Sequence, residues 1–337
     1  MNYYGLLASL MRVVITVVAC LLVLFLALWF AVRQPVWSTT KPRSGVRANP
    51  LLLRQHVTFL STEAVSRNPI HPQQLNTAAD YIRQSLQQSG AEISEQRYKV
   101  DGVWCRNIIG RFGPKDGEIV VIGAHYDVFG NLPGADDNAS GVAGLLELAR
   151  LLATQNLAAP VELVAYSTEE PPYFGTEQMG SSVHARKAKA AGSDIQAMIA
   201  LEMIGHYAAK QPHVNVLLKL VYPSQGNFVV AVGRWGDRQL ARTVKRSFNS
   251  AGAVPCYSYS GPIAIGADLS DHSSYWAQNF PAIMITDTAH LRNTNYHTAS
   301  DTVDTLDFDR MASVVDGILA AVVDLTSKHL SATALGK

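Results

Sequence analysis

The amino-acid sequence predicts an α/β protein: a three-layer α/β/α sandwich around a mixed, mainly parallel central sheet, preceded by one N-terminal transmembrane helix. Strand-like and helix-like segments alternate along the chain, the order expected of such a sandwich. The strand runs are apolar and β-branched without alternation, as in Ile119-Val120-Val121-Ile122-Gly123-Ala124, which is how a strand covered on both faces reads. Polar turns rich in acids and histidine follow these runs, at the sheet edge where open α/β sheets hold their ligands.

From the N-terminus, Val13 to Val32 is an uncharged apolar run between Arg12 and Arg33. Twenty helical residues at about 1.5 Å each cross a hydrocarbon core of roughly 30 Å, so 13–32 reads as a signal anchor behind a short tail, 1–12. A cleaved signal peptide is the alternative, but its apolar region usually covers about 7–15 residues, and no small-x-small cleavage site follows Trp29-Phe30-Ala31-Val32. Residues 33–48 form a polar linker, 49–330 the folded body and 331–337 a tail. Helical spacing marks Leu51–Glu63, Gln74–Gln88, Gly141–Ala153, Gln178–Ala191, Asp237–Ala251 and Phe308–Thr326. Strands fall at Ile93–Val100, Trp104–Phe112, Ile119–Ala124, Val161–Ser167, Ala197–Glu202, Phe228–Gly233 and Ala282–Thr286. The sequence has no internal repeat and no low-complexity segment.

A chain of 337 residues, 48% of them hydrophobic, can bury a large core, and a formal charge of +1 gives no sign of a nucleic-acid or polyanion partner. Cys20 falls in the anchor, leaving Cys105 and Cys256 to pair or to stand as separate thiols; two cysteines do not define a compartment. Arg33, Lys41, Arg43 and Arg47 outnumber Arg12, which by the positive-inside rule puts the body in the cytoplasm. The short N-terminal tail argues for the opposite orientation.

His125-Tyr126-Asp127 ends the first central strand, and Gly134-Ala135-Asp136-Asp137-Asn138 follows. Residues two apart on an extended segment face one side, so Asp127 can accept a proton from one imidazole nitrogen of His125 and fix the other as a metal ligand. A surface His and Asp in an ordinary loop give the same letters. Ser167-Thr168-Glu169-Glu170-Pro171-Pro172 follows another apolar strand; one glutamate there can ligate a metal while its neighbour handles a proton, although most Glu-Glu pairs are simply solvated. Glu202 ends a third strand, and His297 lies in the polar loop Asn295-Tyr296-His297-Thr298; singly, each is an ordinary strand-end charge or loop histidine. Together, His125, Asp137, Glu170, Glu202 and His297 supply one imidazole and two carboxylates for one ion, and a second such set if Asp137 bridges. Two divalent ions then balance three carboxylates and a hydroxide. Mixed nitrogen and oxygen ligands suit zinc, with cobalt or manganese possible.

The order of these motifs resembles the co-catalytic zinc exopeptidases of the M-twenty-eight peptidase family, which includes bacterial secreted aminopeptidases and relatives of glutamate carboxypeptidase and the transferrin receptor. The resemblance covers roughly Leu51 to Leu325. It is carried by Gly123-Ala124-His125-Tyr126-Asp127, Gly134-Ala135-Asp136-Asp137-Asn138-Ala139-Ser140-Gly141, Glu169-Glu170 with Met179-Gly180-Ser181, Leu201-Glu202-Met203-Ile204-Gly205, Ser270-Asp271-His272, and Tyr296-His297-Thr298 with Asp301-Thr302. It implies a zinc-exopeptidase, phosphorylase/hydrolase-like fold with two zinc ions, His125, Asp137 and Glu202 on one and Asp137, Glu170 and His297 on the other. It implies Glu169 as general base, Asp127 as the partner of His125, Tyr296 as the donor to the oxyanion, and a cis peptide after Asp137. The expected substrate is a peptide with a free N-terminus. With the anchor, the expected place is the cell (inner) membrane, single-pass, with the catalytic body periplasmic or extracellular.

Two departures stand out. Family aminopeptidases usually carry Asp where Glu202 stands, a position that in related two-zinc families partly tracks amino- against carboxypeptidase action. Pro171-Pro172-Tyr173-Phe174 replaces a shorter glycine-containing turn and either walls a substrate pocket or is a hydrophobic surface turn. A carboxypeptidase or dipeptidase, a single-zinc glutaminyl cyclase and a receptor-like ectodomain are the alternatives on this scaffold. Asp271 and His272 either belong to a family-like motif near the active site or form a polar loop that only caps a following helix, and His206 and His290 read as ordinary loop residues. Oligomeric state is not encoded in any motif.

Overall fold

The computed structural model describes residues 3–37, 45–252, 254–261 and 266–334. The apolar N-terminal segment is one helix, α1 (Tyr3–Arg33), longer than the expected 13–32 because Tyr3 to Leu10 continues the apolar run. Residues 38–44 of the expected linker, and 335–337 of the expected tail, lie outside the described residues.

The body begins where Asn49 caps α2 (Pro50–Thr58), accepting the Leu51 amide at 2.9 Å with Pro50 pre-set for the first turn. A π-helical turn, Phe59–Glu63, finishes the first expected helix, and α3 (Pro72–Gln88) again starts on a proline. β1 (Glu92–Val100) and β2 (Val103–Phe112) form a hairpin closed by Asp101 and Gly102, both at positive φ, as a two-residue Asp-Gly turn requires. β3 (Ile119–His125), α4 (Gly141–Leu152), β4 (Val161–Tyr166), α5 (Gly180–Ala190) and β5 (Ile195–Glu202) follow in alternation. The rest of the body comprises α6 (Val216–Val221), β6 (Val229–Arg234), α7 (Arg238–Ala251), β7 (Cys256–Gly261), α8 (His272–Ala277), β8 (Ala282–Thr286) and α9 (Phe308–Ala334).

The strands form one sheet in the order β1-β2-β4-β3-β5-β8-β6-β7. β4, β3, β5 and β8 run parallel at its centre, β2 and β6 flank them antiparallel, and β6 pairs parallel with β7. Alternate residues of the central strands feed two cores. Val120, Ile122 and Ala124 pack with residues of α2, α3, α4, α7 and α9. Val121 packs on the other face with Ala185 of α5 and Tyr275 and Trp276 of α8. The sheet is therefore mixed, mostly parallel and covered on both faces. Cys105 on β2 and Cys256 on β7 sit near opposite ends of the strand order, so they do not pair; both are free and buried.

Candidate active site

The four central parallel strands all end on one edge of the sheet. His125 closes β3, Glu169 and Glu170 follow β4, Glu202 closes β5, and the loop beyond β8 brings in Tyr296 and His297. Imidazoles and carboxylates meet there. His125 Nε2 lies 3.4 Å from Asp137 Oδ1 and 3.3 Å from Glu202 Oε2. His297 Nε2 lies 3.1 Å from Asp137 Oδ2 and 3.3 Å from Glu170 Oε2. Glu169 Oε2 is 3.9 Å from His125 Nε2. Every expected ligand position is thus in one cluster, and two overlapping groups, His125 with Asp137 and Glu170, and His125 with Glu169 and Glu202, have donor atoms close enough to share an ion.

Backbone geometry is set by two carboxylates used in the same way. Asp127 accepts the amides of Glu169 at 3.0 Å and Glu170 at 3.1 Å, one on each oxygen. Asp301 accepts those of Asp136 at 2.9 Å and Asp137 at 3.1 Å, again one on each. Asp127 Oδ1 is 3.6 Å from His125 Nδ1, beyond hydrogen-bond reach, so its close contacts are with the Glu169-Glu170 turn. Asn138 ties the acidic turn to the end of β5: its Nδ2 donates to Leu201 O at 2.8 Å and its Oδ1 accepts the Met203 amide at 3.0 Å. The Asp137–Asn138 peptide is cis, as expected, and so is Pro171–Pro172. Thr168, Met203 and His297 all have positive φ, at 62°, 49° and 55°, a strained region for residues with a side chain and one that clusters at functional sites.

The electrostatics describe a cage short of positive charge. Burial alone would raise the Asp137 carboxyl, but the two imidazoles override it and hold it well below the usual carboxylate range. Burial, and then the Asp137 charge, push Glu170 up to about 7. Burial also lifts Glu169 far above its ordinary value. Burial would lower His297, yet Asp137 and Glu170 outweigh it and draw its pKa up to about 9.

His297 is held between two rings, Phe129 at 4.2 Å on one face and Tyr296 at 3.8 Å on the other. Tyr296 and Glu202 also line a cavity of ≈ 160 Å³ walled by apolar residues, among them Leu218, Phe228, Tyr259 and Met284. Asp301, Phe129 and Ser270, whose hydroxyl donates to Glu202 Oε2 at 2.7 Å, received no role from the sequence. Asp301 and Ser270 each stand in one of the family-like motifs, which is their signal in the sequence; Phe129 lies far along the chain from the His297 it stacks on. Arg67 also escaped notice: fully buried, it donates to the carbonyls of Leu60, Tyr126, Pro133 and Gly134 and braces the loop that carries Asp137.

Other expectations resolve more simply. Pro171-Pro172-Tyr173-Phe174 does not line the cavity; its prolines are exposed and Tyr173 donates to Asp101, so it is a surface turn. Asp271 and His272 are buried rather than forming a solvated capping loop, and the Asp271 side chain makes no cap to α8. His206 bonds Asp287 through its backbone, while His290 packs its ring 5.6 Å from Tyr296 at the cavity wall.

Residues 107–322 match the family model Peptidase family M28, a span that takes in the whole cluster. The chain belongs to this family. Membership, together with leucine aminopeptidase relatives, makes it a metallo-exopeptidase by class. Among its relatives, the uncharacterized protein YfbL of Escherichia coli (strain K12) is 42% identical over 298 residues, 85% of this chain and 91% of that one. Leucine aminopeptidase 1 of Coccidioides posadasii (strain C735) is 28% identical over 275 residues, 74% of this chain but 64% of that protein's length. The fold is shared with BSAP, a zinc aminopeptidase from Bacillus subtilis, at TM-score 0.67 and 14% identity over 83% of this chain and 96% of that one. It is shared equally with a glutaminyl cyclase of Bacteroides thetaiotaomicron, at TM-score 0.65 and 19% identity over 83% and 99%.

Proposed function

We propose that this M28 member is a membrane-anchored aminopeptidase in which His125, Asp137 and Glu202 hold one zinc ion, Asp137, Glu170 and His297 hold a second, and Asp137 bridges them. The carrying observation is the arrangement around Asp137, whose two oxygens each face a different imidazole, at 3.4 and 3.1 Å. The donor set fits the group: His297 Nε2 and Glu170 Oε1 are buried without a hydrogen bond, and mixed nitrogen and oxygen ligands suit zinc, or cobalt or manganese.

When bound, such ions polarise the scissile carbonyl and acidify the attacking water. Glu169, beside the ligand cluster and with a carboxyl that burial makes basic, takes the proton from that water and hands it to the leaving amine. Asp127 keeps Glu169 and Glu170 in register through their amides, and the Tyr296 hydroxyl donates to the developing oxyanion. The cavity beside Glu202 supports action at the amino end: among the described residues its lining carries an acid and no lysine or arginine to receive a terminal carboxylate.

For placement, α1 is long and apolar enough to span a bilayer and is exposed along most of its length, which supports a membrane span at 13–32; the retained anchor, with the peptidase body, 49–330, on the outer side of the cell membrane, rests on the long apolar run without a cleavage site, the short N-terminal tail and the family resemblance. N-terminal sequencing of the membrane-extracted protein checks this. The activity is tested with Glu169→Gln, which is expected to keep two zinc ions per chain while turnover of aminoacyl anilides falls by about 10²–10⁴-fold. Retained turnover overturns the role of Glu169. One zinc per chain, with cyclisation of N-terminal glutamine, replaces the aminopeptidase by a cyclase, and cleavage of N-blocked peptides replaces it by a carboxypeptidase.

A further inference from the structure

The roof of the cavity next to the active site is α6, and α6 has two unlike sides. Leu218 of α6 lines the cavity, as do Val214 and Tyr222 just outside the two ends of the helix. Val216, Leu217 and Leu220 do not; they are 73%, 68% and 61% exposed, and no residue of α6 is buried. A short helix with apolar side chains on both sides is only half used by the protein's own interior, and contiguous exposed apolar surface of this kind marks a contact.

The same corner of the body is where α1 arrives. Lys245 Nζ donates to the carbonyls of Arg33 and Gln34, Ser258 Oγ donates to Arg33 O at 3.2 Å, and the Arg33 guanidinium lies 5.1 Å over the Tyr257 ring. Tyr222, the residue after α6, donates to Ser258 O at 2.7 Å and sets its ring edge-on to Tyr257. The end of the apolar helix and the end of α6 therefore share two neighbouring residues of the edge strand β7. Arg33 also covers Trp29 at 5.1 Å, and Trp37 is 87% exposed, a grouping of basic and aromatic side chains suited to the headgroup level. At about 1.5 Å per residue, α6 extends only roughly 9 Å from this junction, so all of it stays beside the point where α1 ends.

We propose that α6 is a second membrane contact, with Val216, Leu217 and Leu220 seated at the boundary of headgroups and acyl chains beside α1 and Lys219 among the phosphates. The roof of the substrate cavity then rests on lipid. This inference rests on α1 being a retained anchor. The bilayer surface is the occupant, rather than a second copy of the chain, because the patch is continuous with the point where the spanning helix leaves the membrane.

The test uses the full-length chain with Cys20→Ser and one added cysteine, Leu217→Cys, labelled with an environment-sensitive fluorophore; Cys105 and Cys256 are buried. Trp104→Cys, at an exposed site on β2 toward the far end of the sheet, is the control. The proteins are reconstituted into vesicles of phosphatidylcholine and phosphatidylglycerol that contain a phosphatidylcholine with a nitroxide near its headgroup. Quenching at 217 is expected to exceed that at 104 on the order of threefold. Equal quenching at the two sites overturns the proposal. Energy transfer between labelled chains without lipid quenching also overturns it, because a second copy would then cover α6. If intact mass shows that the mature chain begins after α1, the anchor reading has failed separately. The same vesicles added to that mature, labelled chain then decide α6 by itself, with quenching at 217 supporting the lipid contact and none overturning it.

Discussion

Replacing Asp127 with Asn changes one atom of a buried side chain and isolates the part it plays. The carboxylate, 1% exposed, gives one oxygen to each of two consecutive amides, those of Glu169 and Glu170. Asn keeps one acceptor and turns an NH2 toward the other amide, so one charge-assisted bond is lost, the second loses its charge, and two donors face each other. Charge-assisted bonds contribute about 1.5–3 kcal/mol each and neutral ones about half that, which puts the total at roughly 2–4 kcal/mol. For a body of this size, each kcal/mol moves Tm by about 2–4 °C. Asp127→Asn is therefore expected to lower the Tm of the metal-free protein by about 5–15 °C, read by scanning calorimetry. It should also lower kcat/KM on leucyl anilide by about 10–100-fold, the usual cost of removing a residue that orients ligands. A metal-free Tm within a degree of the parent, with loss of activity alone, would refute the amide-clamp reasoning and return Asp127 to the imidazole of His125. Unchanged values in both assays would remove Asp127 from the machinery altogether.

Four further outcomes follow from the same geometry. Phe129→Ala removes one face of the His297 sandwich; aromatic stacking contributes about 0.5–1.5 kcal/mol, so zinc at the His297 position should weaken by roughly 2–12-fold in a competition titration, with the other position unchanged. Chelation should abolish hydrolysis and lower Tm, and readdition of zinc should restore both, because three buried carboxylates repel one another without a cation. Gly141→Ala would set a Cβ 2.5 Å from Leu201 O and against the Asn138 amide oxygen, forcing the acidic turn away from β5; calorimetry should show a loss on the order of several kcal/mol. On an aminoacyl panel, apolar terminal side chains should give the highest kcat/KM and acidic ones the lowest, reflecting the apolar cavity walls and the Glu202 carboxylate.

The architecture was legible where burial is two-sided. β3, β4, β5 and β8 are mostly apolar runs, broken only by Glu162 and Gln196 near the starts of β4 and β5, and their ends announce the site. β7 was not foreseen: Cys256-Tyr257-Ser258-Tyr259-Ser260-Gly261 is a short edge strand whose small polar residues read as loop. α6 and α8 escaped because six residues hold too few turns to display a period. The five proposed ligands and Glu169 are visible as letters, but the clamps are not. Asp301 meets Asp136 and Asp137 from far along the chain, and Asp127 turns its oxygens to the Glu169-Glu170 amides rather than only to its near neighbour His125. Such long-range partners follow from strand order and register, which one sequence does not state.

The site draws on the ends of β3, β4 and β5 and on the loop after β8, from residue 125 to residue 297. No local segment owns it. A chain cut short before β8 carries the glutamates and the first histidine but lacks His297 and the Asp301 that accepts the Asp136 and Asp137 amides. On the proposed reading, hydrolytic competence needs all four strand ends in place, and no piece of the chain that stops before β8 assembles the full set of donors. On that same reading, bound zinc reports a completed sheet, and a zinc assay on a truncated population is expected to count only the molecules whose strands are all in place.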